Sequence, residues 1–145
     1  NVNNSHRILL AEDNPLTVEL TLEVLKDYNL AKDVTVVQNG QQVLDYLYRQ
    51  EQYSSRPKGN PAVILLDIKM PRIDGLEVLR QVKNDPNLKM IPVVILSSST
   101  MENDMVQSYQ LGANAYVVKP VAFPDFVEMI KSLGNFWCLV NQTPE

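Results

Sequence analysis

Glu12-Asp13, Asp67, Ser97 and Lys119 each stand directly after a short apolar run. If those runs are parallel strands, their carboxyl ends bring the four positions to one rim, where open α/β sheets bind ligands. Three carboxylates in one small pocket raise one another's pKa unless a cation sits among them. An all-oxygen site of modest charge suits Mg²⁺, which keeps several of its waters. Lys119 adds a point positive charge and Ser97 a neutral donor. Such a site would hold an anion with three equatorial oxygens, one on the metal, one on Lys119 and one on Ser97. That is the electrostatic requirement of phosphoryl transfer.

Each residue alone has a plainer reading. An acidic pair after a strand often only complements a helix dipole. Asp67 alone could be a turn or cap residue. Ser97 opens a Ser-Thr run in which Ser99 or Thr100 caps the next helix, and most lysines are solvated. The argument for a site is the conjunction: complementary types after four separate strands. His6, the only histidine, precedes a strand and is given no metal or phosphohistidine role. Cys138 has no cation-rich setting to lower its pKa and is read as inert.

The elements that must position these residues are legible as alternating apolar runs and helix-period segments, the pattern of βα units on a parallel sheet. Strands are expected at Arg7–Ala11, Asp33–Val37, Ala62–Leu66, Ile91–Leu96 and Ala115–Val118. The third is apolar throughout, as a strand covered on both faces should be. Five helices fit between and after them. The first opens with Asn14 as N-cap and Pro15 at the first helical position, with Val18, Leu22 and Leu25 inward. Gly40 to about Gln50 forms the second, with Val43, Leu44 and Leu47 inward. The third follows Asp74-Gly75, carries Leu76, Leu79 and Val82 inward, and stops at Asp85-Pro86. Thr100–Leu111 is the fourth, closed by Gly112 in a left-handed cap. The fifth spans about Pro124–Trp137, with Val127, Ile130 and Leu133 toward the sheet. Residues 51–61 make a long, polar, Pro/Gly-punctuated surface loop.

Bulk properties bound the function. At 145 residues the chain suits one domain without a metal or disulfide staple. Thirteen Lys and Arg against seventeen Asp and Glu give a net charge of −4, which argues against nucleic-acid binding through a general basic surface. No apolar run approaches the ~18 residues that span a bilayer. A single cysteine suits a reducing compartment, and the polar, Met-less N-terminus lacks a signal-peptide core. A cytoplasmic protein without membrane contact is expected.

Glu12-Asp13, Leu65-Leu66-Asp67-Ile68-Lys69-Met70-Pro71-Arg72-Ile73-Asp74-Gly75, Ile95-Leu96-Ser97 and Gly112-Ala113-Asn114-Ala115-Tyr116-Val117-Val118-Lys119-Pro120 together resemble a bacterial response-regulator receiver domain. The similarity covers roughly residues 6–137, leaving 1–5 and 138–145 as tails and no output domain. It implies a (βα)5 doubly wound, flavodoxin-like parallel sheet ordered 2-1-3-4-5. It also implies Asp67 as phospho-acceptor and Glu12, Asp13, Asp67 and the Lys69 backbone carbonyl as the Mg²⁺ ligand set. Ser97 matches the switch hydroxyl, Lys119 the lysine that pairs with the phosphoryl group, Tyr116 the switch aromatic, and Pro120 a proline often preceded by a cis bond. The implied partner is a sensor histidine kinase. The long loop and the ending Leu133-Gly134-Asn135-Phe136-Trp137 further resemble the small regulators paired with cyanobacterial phytochromes. A homodimer through Tyr116, Phe126, Phe136 and Trp137 is expected, because a receiver without an output domain must signal through contacts.

The resemblance implies a signalling module that catalyses only its own modification, not an enzyme turning over a metabolite. Two alternatives were weighed. A phosphatase of the haloacid-dehalogenase type wants a second acid two positions after the nucleophile, where Lys69 stands, and a cap domain. A degenerate receiver serving only as a scaffold would not need the complete acid, hydroxyl and lysine set. Neither a G-x-G-x-x-G nor a P-loop is present to support a nucleotide-binding enzyme.

Overall fold

The computed structural model describes residues 7–27, 33–98 and 102–119. Five strands, β1 (Arg7–Ala11), β2 (Asp33–Val37), β3 (Val63–Asp67), β4 (Val93–Ser97) and β5 (Ala115–Val118), form one sheet. All pairs are parallel and the order is 2-1-3-4-5. Four helices join them: α1 (Pro15–Asp27), α2 (Gly40–Leu47), α3 (Gly75–Asn84) and α4 (Glu102–Gln110). The fifth helix expected at 124–137, and with it Pro120, Phe126, Phe136 and Trp137, lies outside the described residues, as do His6 and Cys138.

The strands are mostly apolar because both faces of the sheet are covered, and alternation along each strand sorts its side chains into two cores. Leu9, Ala11, Ile64, Leu66, Val93 and Ile95 face Val43, Leu44 and Leu47 of α2 and Val78, Leu79 and Val82 of α3. Ile8, Leu10, Val63, Leu65, Val94 and Leu96 face the other way, with Val18, Leu22 and Leu25 of α1 packed against them. Helix starts follow local chemistry. Asn14 Oδ1 accepts the Leu16 and Thr17 N–H groups at 2.9 and 3.1 Å. Asn39 Oδ1 caps α2 through Gln42 N–H, and Asp74 Oδ1 caps α3 through Glu77 N–H.

Several boundaries differ from expectation. β3 and β4 sit later than expected, so Asp67 and Ser97 are the last paired residues of their strands, with Asp67 opposite Leu96 and Ser97 opposite Val118. Ile91 belongs to the preceding turn, its N–H bound to the Leu88 carbonyl, and Val93 starts the strand. α2 ends at Leu47 rather than Gln50, because Arg49 turns left-handed (φ 55°). In α3 the buried positions are Gly75, Val78, Leu79 and Val82, while Leu76 is only half-buried. The described part of α4 begins at Glu102, and Gly112 closes it with φ 108°, left-handed as expected. The 51–61 loop contains a short 3-10 turn at Glu51–Tyr53 and is organised around Arg56. That guanidinium donates to the carbonyls of Tyr46, Leu47, Pro57 and Gly59 and stacks 4.1 Å over the Tyr46 ring.

Candidate functional site

The carboxyl ends of β1, β3 and β5 deliver the expected residues to one place. Carboxylate oxygens of Glu12, Asp13 and Asp67 all lie within 4.8 Å of one another. Glu12 is 1% exposed and Asp67 6%, whereas Asp13 is exposed, so the cluster is walled on one side and open on the other. Lys119 reaches in from the end of β5: its Nζ lies 3.0 Å from Glu12 Oε1 and 3.7 Å from Asp67 Oδ2. The second Glu12 oxygen accepts the Asn14 backbone N–H at 3.1 Å. Lys69 N–H points at Asp67 Oδ1 at 3.4 Å, a long contact.

The electrostatics follow from this crowding. Burial is the chief reason the Asp67 carboxyl is pushed up to about 6, and the neighbouring Glu12 charge adds to it. Lys119 and the Lys69 N–H act in the opposite direction and do not offset it. Lys119 thus serves the two buried acids, sitting closer to Glu12 than to Asp67, while Asp13 stays exposed beside them. The donor set is all oxygen, anionic and open on the Asp13 side, and it fits a hard divalent cation that keeps part of its water shell.

Ser97 is buried at the end of β4, next to Asp67 in the strand order. Its carbonyl accepts the Lys119 N–H at 2.7 Å, tying the β5 end to β4. Tyr116 is half-buried and packs on the same core as α3, and it pairs with Ile95, two residues before Ser97 on the same face. The structure therefore brings together Glu12, Asp13, Asp67, Lys69 and Lys119, and places Ser97 and Tyr116 on adjoining strands beside them.

Two supporting residues escape a residue-type search. A Cβ built on Gly75 would lie 2.2 Å from the Asp67 carbonyl oxygen, so α3 can start against the Asp67 backbone only with glycine there. Gly75 N–H also donates to the Ile68 carbonyl at 2.7 Å, closing the turn after Asp67. The signal is present in Asp74-Gly75, which is both the start of the third helix and the end of the motif that follows the third strand. Arg72, in the same turn, is left-handed (φ 70°), a conformation that non-glycine residues adopt at some cost. No local sequence signal marks it.

A family model described as the response regulator receiver domain matches residues 8–131. Among curated proteins, response regulator Rcp1 of Synechocystis sp. is 37% identical over 130 residues, covering 90% of this chain and 87% of its own. A solved structure of Rcp1 in its Mn²⁺-bound form superposes with a TM-score of 0.78, covering 96% of this chain and 99% of that one. The bacteriophytochrome response regulator RtBRR is 53% identical with a TM-score of 0.83, over 95% of this chain and 83% of its own. The phosphorylated cyanobacterial phytochrome response regulator RcpA is 36% identical with a TM-score of 0.78, over 94% and 96% of the two chains. Among the described residues, no helix is long and apolar enough to cross a membrane. With the fold, the acid cluster and these likenesses in agreement, the chain belongs to the response regulator receiver domain family.

Proposed function

We propose that this receiver accepts a phosphoryl group on Asp67 from the phosphohistidine of a sensor histidine kinase. The observation that carries the reading is the grouping of Glu12, Asp13 and Asp67 within 4.8 Å, with Lys119 among them. An Asp67 carboxylate oxygen attacks phosphorus, the P–N bond to the donor histidine breaks, and an acyl phosphate forms. Asp67 must be ionised to attack, and Lys119 and the Lys69 N–H favour that form. Glu12, Asp13, Asp67 and the Lys69 carbonyl would hold Mg²⁺, which supplies charge neutralisation for the transferring oxygens. The Mn²⁺-bound form of Rcp1 supports a divalent site in this family.

The Asp67 phosphate carries about 1.5–2 negative charges and three strong acceptor oxygens. Ser97 and Lys119 are the donors placed by the neighbouring strand ends. Movement of Ser97 toward the phosphate vacates space that the Tyr116 ring fills from the same face, and the α4–β5 surface changes shape for a partner to read. The phosphorylated form of RcpA supports the acceptor chemistry, and the names of RcpA and RtBRR favour a phytochrome-type photoreceptor kinase as donor. The receiver is a switch without a free-metabolite substrate, and Tyr116 belongs to the face proposed for a homodimer.

Incorporation from acetyl phosphate tests the reading. Phosphate should enter with Mg²⁺ and not in chelator, and Ser97→Ala and Lys119→Ala should accept it with smaller NMR shifts around Tyr116. Mg²⁺-independent incorporation, or full parental shifts in both variants, would count against it.

A further inference from the structure

Gly40 is the first residue of α2, and its helical backbone does not need glycine's left-handed freedom. What it supplies is room. A Cβ at this position would lie 1.9 Å from the carbonyl oxygen of Ile73, 2.7 Å from the carbonyl carbon and 2.8 Å from Ile73 Cβ. The β3–α3 loop therefore rests directly on the first turn of α2, backbone against backbone.

Neither side of this contact retreats freely. α2 is fixed at its start by the Asn39 cap and by Gln42 Oε1, which accepts Gln38 N–H at 2.8 Å. Val43, Leu44 and Leu47 bury its inner face. The loop is anchored at both ends as well. Gly75 N–H and Met70 N–H both bind the Ile68 carbonyl, and Asp74 caps α3. Between these anchors lie only Pro71, the left-handed Arg72 and Ile73, so a push on the Ile73 carbonyl passes back toward Lys69 and Asp67. Pro71 and Arg72 are exposed and Ile73 is half-buried, whereas Val43, Leu44 and Leu47 of α2 are buried, so the loop is the side that yields.

We propose that Gly40 is a positioning residue for the acid site. By admitting the Ile73 carbonyl it sets the path of the β3–α3 loop, and through the loop it sets how Lys69 and Asp67 are presented to metal and phosphoryl group. This rests on the reading of Asp67 as a metal-dependent acceptor. Gly40 touches none of Glu12, Asp13, Asp67, Ser97 or Lys119 in its closest contacts, which are all with Ile73.

The test compares Mg²⁺ affinity, acetyl phosphate reactivity and Tm in the full-length parent, Gly40→Ala and Gly112→Ala. Gly112 lies at the opposite end of the sheet with φ 108°, where alanine is strained but cannot reach the loop. Gly112→Ala should lose thermal stability and keep its Mg²⁺ affinity. Gly40→Ala should fold, bind Mg²⁺ about fivefold or more weakly because the ion tolerates little distortion, and be phosphorylated up to about a hundredfold more slowly. Parental Mg²⁺ affinity and reactivity in Gly40→Ala would overturn the proposal. Should that variant not fold, Gly40→Ala/Ile73→Gly frees the carbonyl to turn away; it should fold and still bind Mg²⁺ weakly. Parental affinity in the double variant, or loss of fold in both, would equally overturn it. A parent that neither binds Mg²⁺ nor accepts phosphate would instead overturn the proposed function, and this inference with it.

Discussion

Two charged regions of the molecule are partnered in opposite ways. In the loop after α2, Arg56 gives its guanidinium to four backbone carbonyls and lies over the Tyr46 ring, which itself meets Tyr53 edge-on at 5.3 Å. Burial lowers its pKa, as do the nearby Arg7 and Arg49 charges, but its donors are occupied and its plane is stacked. At the rim, two buried carboxylates and an exposed one lean on one lysine, and Asp67 is pushed up to about 6. The first arrangement is complete and rigidifies a long loop. Among the described residues the second gathers more negative than positive charge, a donor set that fits a divalent cation. The two regions differ in burial, Arg56 being half-buried and Glu12 and Asp67 buried, and they differ more in how far their charge is matched by partners.

The largest effect expected from breaking this contrast is at the acceptor. Asp67→Asn should abolish phosphate incorporation while keeping the fold, since amide and carboxylate are nearly isosteric; radiolabel uptake from acetyl phosphate measures it. At the other charge, Arg56→Met should cost about 2–4 kcal/mol, through four carbonyls left without their charged donor. Thermal melts should show a Tm drop of roughly 5–10 °C, and Mg²⁺ titration should show an unchanged affinity. Equal losses of metal affinity and stability would mean the two regions are not separable.

A smaller effect concerns pH in metal-free buffer. The folded Asp67 carboxyl holds its proton up to about pH 6, while the unfolded one releases it near pH 4. The folded state then binds more protons in that window, so its stability falls as pH rises from about 4 to 6 and levels off above. Asp67→Asn should remove that slope and leave the chain about 1–2 kcal/mol more stable than the parent at neutral pH. Urea titrations across the window measure both, and a parent that gains stability from this group as pH rises would reverse the sign. The smallest effect is at Asn14, where Asn14→Ala should cost about 1 kcal/mol by removing the α1 cap. The Glu12 contact should survive, because its donor is the Asn14 backbone.

The same contrast explains what could be read from the sequence. The rim was legible because each functional residue follows an apolar run, and parallel strands covered on both faces carry such runs plainly. The one-residue shift that makes Asp67 and Ser97 part of the ladder was not, since a side-chain pattern does not say where backbone pairing stops. The Arg56 arrangement left no trace either. Its acceptors are backbone carbonyls as far back as Tyr46, and carbonyls have no residue type. The Gly40–Ile73 approach is hidden for a related reason: a glycine needed for room between distant segments looks like any helix-start glycine. Leu76 does pack against the core, but at its edge and half-buried, while Val78 joins Leu79 and Val82 as the buried stripe.

Asp67 is proposed as the metal-dependent acceptor of this receiver. Peptide mapping by mass spectrometry of the unmutated chain, after acetyl phosphate with and without Mg²⁺, tests it most directly. The account predicts one phosphoryl group, on the peptide containing Asp67, and none in chelator. Phosphate on any other residue, or on Asp67 without a divalent ion, would contradict it.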